Sequence, residues 1–136
     1  MASAGAIVAA MTEAEITEVA AWIAEAGLAG RAETTVVAGF CDRVVAFGLP
    51  LARAIVFIDT LHPVYEGRMF RWEREKPEAT LAEYGRSTEG EVAERWRSSP
   101  FYRLLASGES LLHRRIAADS KTEFTIFPEL HGRVSR

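Results

Sequence analysis

At Gly48-Leu49-Pro50 the hydrophobic pattern changes period, and that change limits the fold more than any other feature of these 136 residues. Upstream, apolar residues recur at three- and four-residue intervals; downstream they run together and then alternate. The first pattern belongs to helices with one buried stripe, the second to strands. Helices first and strands afterwards give segregated elements, so the expected class is α+β: two N-terminal helices packed on a small antiparallel sheet.

Thr12-Glu13-Ala14-Glu15 reads as a capping box, in which the threonine hydroxyl and the glutamate carboxylate satisfy each other's backbone amides at a helix start. Ile16, Val19, Ala20 and Ile23 follow at helical spacing, and Gly27 is the expected left-handed stop. A second helix is expected over 35–47, with Val36, Val37, Phe40, Val44 and Phe47 on one face and Gly48 and Pro50 ending it. Cys41 lies beside that face and reads as a buried small apolar residue, with no neighbour in sequence to activate its thiol. The stripe Ile16, Val19 and Ile23 can serve both the core and a partner helix, so a homodimer with these three residues at its interface is expected.

Residues 51–59 form a β-branched and aromatic run, expected as a buried strand. Residues 67–75 alternate, with Arg68, Phe70 and Trp72 on one side and Met69, Arg71 and Glu73 on the other, as in a half-exposed strand antiparallel to the first. The linking loop carries His62-Pro63. Beyond Pro77 the chain turns polar; 91–96 and 101–105 read as helices broken at Pro100 and closed by Ser107-Gly108. Residues 111–116 are expected as a third strand. Thereafter Phe124, Ile126 and Phe127 are apolar enough to pack, and Pro128-Glu129-Leu130 opens a short helix.

Hydrophobic residues make up 49% and charged residues 26%, which suits one domain with its own core, placed at 12–136 behind a flexible arm at 1–11. The arm is apolar, but it has no preceding Lys or Arg and falls short of the roughly 20 residues that cross a bilayer, so no membrane span is expected. A single cysteine excludes an internal disulfide and a cysteine-based zinc site, and points to a reducing, cytoplasmic setting. The formal charge of −3 argues against a nucleic-acid partner. No phosphate-binding glycine loop, nucleophile elbow or zinc-protease helix occurs. His62, His113 and His131 sit in three different segments, and no metal site is expected.

Three constellations remain. Asp59 and His62 end a strand, where they can meet a ligand or work as a general acid/base pair, or where Asp59 caps the turn and His62 is exposed before Pro63. Phe57, Phe70 and Trp72 either wall a small-molecule cavity with Asp59 and His62 at its mouth, or fill the interior. Arg95, Arg97, Arg103, His113, Arg114 and Arg115, interleaved with Trp96, Phe101 and Tyr102, form either a stacking surface for nucleic acid or an ion-paired face in which Glu91 meets Arg95.

The stretch Phe57-Ile58-Asp59-Thr60-Leu61-His62-Pro63-Val64-Tyr65-Glu66-Gly67-Arg68-Met69-Phe70-Arg71-Trp72, and then residues 83–102, which include Glu94-Arg95-Trp96-Arg97-Ser98-Ser99-Pro100-Phe101-Tyr102, resembles the N-terminal region of bacterial class III adenylate/guanylate cyclases. The similarity runs from about residue 16 to about residue 130. It implies a GAF- or PAS-like sensor, C-terminally truncated here, that regulates a separate catalytic domain. That domain makes cyclic nucleotide from the triphosphate as a dimer with two metal ions. Magnesium or manganese would belong to that absent domain, and this chain would carry no cofactor and no catalytic residue. A dimerising adaptor and a small enzyme using Asp59 and His62 are the alternatives.

Overall fold

A computed structural model of the chain describes residues 11–59, 61, 67–84, 90–116, 123–124, 126–127 and 130. The chain divides into two compact units, residues 2–86 and residues 87–136. The first has two helices, α1 (Glu13–Leu28) and α2 (Glu33–Ala46), and three strands, β1 (Arg53–Asp59), β2 (Gly67–Glu73) and β3 (Lys76–Tyr84). The second has α3 (Gly90–Arg97) and α4 (Pro100–Ser107). The class is therefore α+β, with N-terminal helices followed by a small antiparallel sheet.

The start of α1 is the capping box read from sequence: the Thr12 amide donates to Glu15 Oε2 at 2.7 Å and the Glu15 amide donates to Thr12 Oγ1 at 3.2 Å. Its end differs from expectation. Gly27 stays inside the helix, and Gly30, at φ 68°, takes the left-handed position after the C-cap Ala29. Arg31 and Gly30 then donate to the carbonyls of Ala26 and Gly27, which satisfies the last turn without Gly27 leaving the helix.

Helix α1 packs on α2, and α2 packs on β2 and β3. The contact between the helices is built on Gly39. A Cβ there would land on the Trp22 ring, so the missing side chain lets the indole lie against α2. Arg43, one turn further on, holds its guanidinium 3.7 Å from the Trp22 ring centroid and donates from Nη1 to the Gly39 carbonyl at 3.1 Å. Val19 and Ala26 of α1 and Cys41 and Val44 of α2 are buried.

The sheet has the order β1-β2-β3, antiparallel throughout. Val56, Phe70 and Leu81 stand side by side across it, as do Ile58, Arg68 and Glu83 on the same face. Phe70 is 0% exposed and Trp72 2%. Arg68 ties this face to α2 through an ion pair with Glu33 and lies 3.7 Å from Glu83 of β3. The opposite face carries Arg53 beside Glu73, Ile55 beside Arg71, and Phe57 beside Met69.

Strand β3 was not expected. Pro77 has no amide hydrogen to donate, and Glu78 and Glu83 make the segment look like a loop. It pairs because it is an outer strand, where one residue without a donor and a polar outward face are tolerated. Conversely, residues 111–116 form no strand and have no regular secondary structure. Leu111, Leu112 and Ile116 supply apolar ends, but Arg114 between them is bonded to Glu123 and to the His113 carbonyl rather than placed in a ladder.

In the second unit, Ser99 caps α4 by accepting the Tyr102 amide at 3.2 Å, Pro100 stands in the first turn, and Gly108, at φ 71°, closes the helix as expected. Phe124 and Phe127 are buried and meet edge to face with centroids 5.1 Å apart. Residues 1–10 of the expected arm and Pro128-Glu129 of the expected last helix lie outside the described residues.

Candidate functional site

The proposed ligand residues sit on the β1–β2 pair, and strand parity separates them. Phe70 and Trp72 face α2 from inside the core. Phe57 pairs with Met69 and lies on the other face, half-buried, so the three rings do not share one wall. Asp59 is exposed at the end of β1, opposite Gly67. His62 lies outside the described residues. Trp72 keeps one chemical handle within its apolar surroundings: its Nε1 is buried and has no hydrogen-bond partner. An indole N–H in that condition costs free energy unless something accepts from it.

The expected dimer residues are also divided. Val19 is 4% exposed and belongs to the α1–α2 interior, whereas Ile16 is 43% exposed and Ile23 is half-buried. Val19 is therefore already used within the protomer. Cys41 is fully buried, as expected, and burial pushes its thiol up to about 11, with the adjacent Asp42 charge adding to the effect. A thiol held that far above neutral pH is a packing residue and a poor nucleophile.

The basic and aromatic cluster lies on α3, α4 and the chain that follows. Trp96 and Tyr102 meet edge to face at 6.3 Å across the turn between the helices. The carboxylate that organises the arginines is Glu123, which sequence spacing did not single out. Arg114 donates to it from Nε at 2.9 Å and from Nη2 at 3.1 Å, and Arg103 donates from Nη1 at 2.9 Å. Hydrogen bonding from Arg114 holds the Glu123 carboxyl below the usual carboxylate range, and the same bond raises the Arg114 guanidinium. No ion pair joins Glu91 to Arg95 among the described residues.

An open cleft of about 480 Å³ is lined by Tyr102, Arg103 and Ala106 of α4 together with Glu123 and Phe124. A second, of about 600 Å³, borders Glu91, Glu94, Arg95 and Arg97. Among the described residues no group of three His, Cys, Asp or Glu side chains is placed to hold a metal ion. No described helix is long and apolar enough to cross a membrane. Comparison with protein-family models, curated proteins and solved structures finds no match.

Proposed function

We propose that this chain is a non-catalytic sensory or regulatory domain of an adenylate or guanylate cyclase, acting on cyclic-nucleotide synthesis by a separate catalytic domain C-terminal to it. The observation that carries the reading is the resemblance over residues 57–72 and 83–102. An α+β frame with helices leading into an antiparallel sheet supports it. The first stretch includes residues 57–59 of β1 and 67–72 of β2, and the second includes the last two residues of β3, all of α3 and the start of α4.

On this reading the domain is GAF- or PAS-like, cytoplasmic and homodimeric, and it takes a small-molecule ligand. Magnesium or manganese serves the catalytic domain alone. The unpaired Trp72 Nε1 is the donor within the helix-covered face that an accepting ligand group would satisfy, with Phe70 as apolar surface beside it. A ligand inserted there would shift α2 against β2 and β3, and a shift in that contact is how occupancy would reach a neighbouring domain.

The test joins the chain to the N-terminus of a class III catalytic module and compares cyclic-nucleotide formation with the module alone. A change of about fivefold or more, the lower end of ordinary allosteric coupling, is expected. The isolated chain with ATP or GTP and magnesium or manganese is expected to form none. An unchanged module rate overturns the proposal, and so does product formation by the chain alone that disappears in Asp59→Ala.

A further inference from the structure

We propose that the cleft of about 480 Å³ lined by α4 binds a small aryl phosphate, with the phosphate on Arg97 and Arg103 and the ring against Tyr102. The inference goes beyond the regulatory reading and does not depend on it, because every residue it uses lies within the unit of residues 87–136. The two clefts of this unit differ in charge and in walls. Among the described residues, the one of about 600 Å³ sets Glu91 and Glu94 against Arg95 and Arg97, so its charges balance, and no ring lines it. The other sets Arg97 and Arg103 against Glu123 alone, and two rings line it. Its volume falls in the ordinary range for small-molecule sites.

The one carboxylate of that lining is already satisfied. Arg114, which does not line the cleft, donates to both Glu123 oxygens, and Arg103 adds a third bond from Nη1. Arg103 keeps its other N–H groups, and no hydrogen bond or ion pair engages Arg97 among the described residues. The serine hydroxyls have no hydrogen to spare: Ser98 and Ser99 donate theirs to the Arg95 and Trp96 carbonyls, and Ser107 donates within its own turn. The donors left to a ligand are guanidinium N–H groups and the Tyr102 hydroxyl, which is an anion-binding set.

Spacing along the chain places the head of that ligand. Ser99, Arg103 and Ser107 recur at four-residue intervals, so the cleft follows one face of α4 for about 12 Å from its capped end. Arg97 stands just before the cap and Arg103 one turn beyond it. Two guanidinium groups from separate helices suit a head with three terminal oxygens, whereas a planar carboxylate is satisfied by a single fork, as Glu123 is by Arg114. The walls are fixed before a ligand arrives. Tyr102, 39% exposed, is held edge to face against Trp96, and the buried Phe124 is packed on Phe127.

The experiment titrates the full chain with phenyl phosphate, inorganic phosphate and benzyl alcohol, following the Trp96 indole and arginine Nε–H signals by NMR, with circular dichroism to establish that each variant folds. Phenyl phosphate is expected to bind with a Kd of about 1 mM, as suits a fragment in an open cleft, and the other two probes at least about fivefold more weakly. Arg97→Gln is expected to weaken phenyl phosphate about fivefold. Arg115→Gln removes the same charge outside the cleft and is expected to leave it unchanged. Glu123→Gln is expected to tighten it about threefold, by removing the one carboxylate of the lining and releasing Arg103, a gain that a damaged fold would not produce. Absence of phenyl phosphate binding overturns the proposal, and so does equally tight binding of inorganic phosphate or benzyl alcohol. Equal losses in Arg97→Gln and Arg115→Gln, or a Glu123→Gln chain that binds no more tightly, overturn it as well.

Discussion

The two faces of the sheet are built from the same strands by alternate residues, yet they do different work. One face presents Val56, Phe70, Trp72 and Leu81, and with α2 over β2 and β3 it encloses the two most deeply buried rings of the strand pair. The other presents Ile55, Phe57 and Met69 among Arg53, Arg71 and Glu73, all of them half-buried. The covered face supplies most of the apolar burial that offsets the entropy of ordering the chain. The other face, mixing apolar and charged groups, can be altered with much less effect on the fold. Stability and recognition can therefore be changed separately, by substitutions one residue apart.

The largest expected effect tests that separation directly. Phe70→Ala empties a fully enclosed site and should cost about 3 to 5 kcal/mol in urea unfolding. Phe57→Ala, on the half-buried face, should cost about 1 to 2 kcal/mol. Equal losses would mean that both faces are core, and the division drawn here would fail.

The next effect lies one layer out. Gly39→Ala should gain about 1 kcal/mol of helix propensity but drive a methyl group into the Trp22 ring, which either strains the contact at about 1 to 3 kcal/mol or swings the indole away from Arg43. A net loss of about 1 kcal/mol is expected, accompanied by a change in tryptophan fluorescence. A gain would show that α1 is held to α2 without the stacked ring. Thr12→Ala, at the far end of α1, should cost about 1 kcal/mol through the lost capping box. Because α1 packs on α2, and it is α2 that packs on β2 and β3, this variant should leave the labelling of Cys41 slow: a fully buried thiol pushed up to about 11 reacts near pH 8 only when the helix layer opens.

Much of the frame was legible in the sequence, for local reasons. A capping box, a Pro100 break and a Gly108 exit are contained within a few residues and act wherever they occur. What was not legible depends on pairing. The register of β1 and β2 matches residues whose numbers sum to 126, as in Val56 with Phe70, and that sum is set by the intervening loop rather than by either strand. A slip of one residue would have put Phe57 beside Phe70, as the cavity reading required. β3 was hidden because Pro77 and two glutamates are tolerable only at an edge, and edge position is a property of the sheet. Glu123 was missed because its partners, Arg103 and Arg114, are 20 and 9 residues away, beyond any helical spacing rule.

That glutamate gives the smallest expected effect and the control for the whole comparison, since it belongs to the other compact unit. Its carboxyl is held below the usual range by Arg114 and, further, by Arg103. A carboxyl depressed in the folded state contributes stability above its unfolded pKa and loses that contribution as pH falls through the folded value. Acid titration followed by carboxyl NMR should therefore find Glu123 titrating below the ordinary glutamate range. The cluster of Arg103, Arg114 and Glu123 should loosen only in that acid window and weaken with salt, because the groups are at the surface. Glu123→Gln should remove the acid step from the Arg114 signals and leave the unfolding of the α2-covered face unchanged. If the variant lowered the stability of that face as Phe70→Ala does, the two units would unfold as one, and the contrast between faces would have to be redrawn for the whole chain.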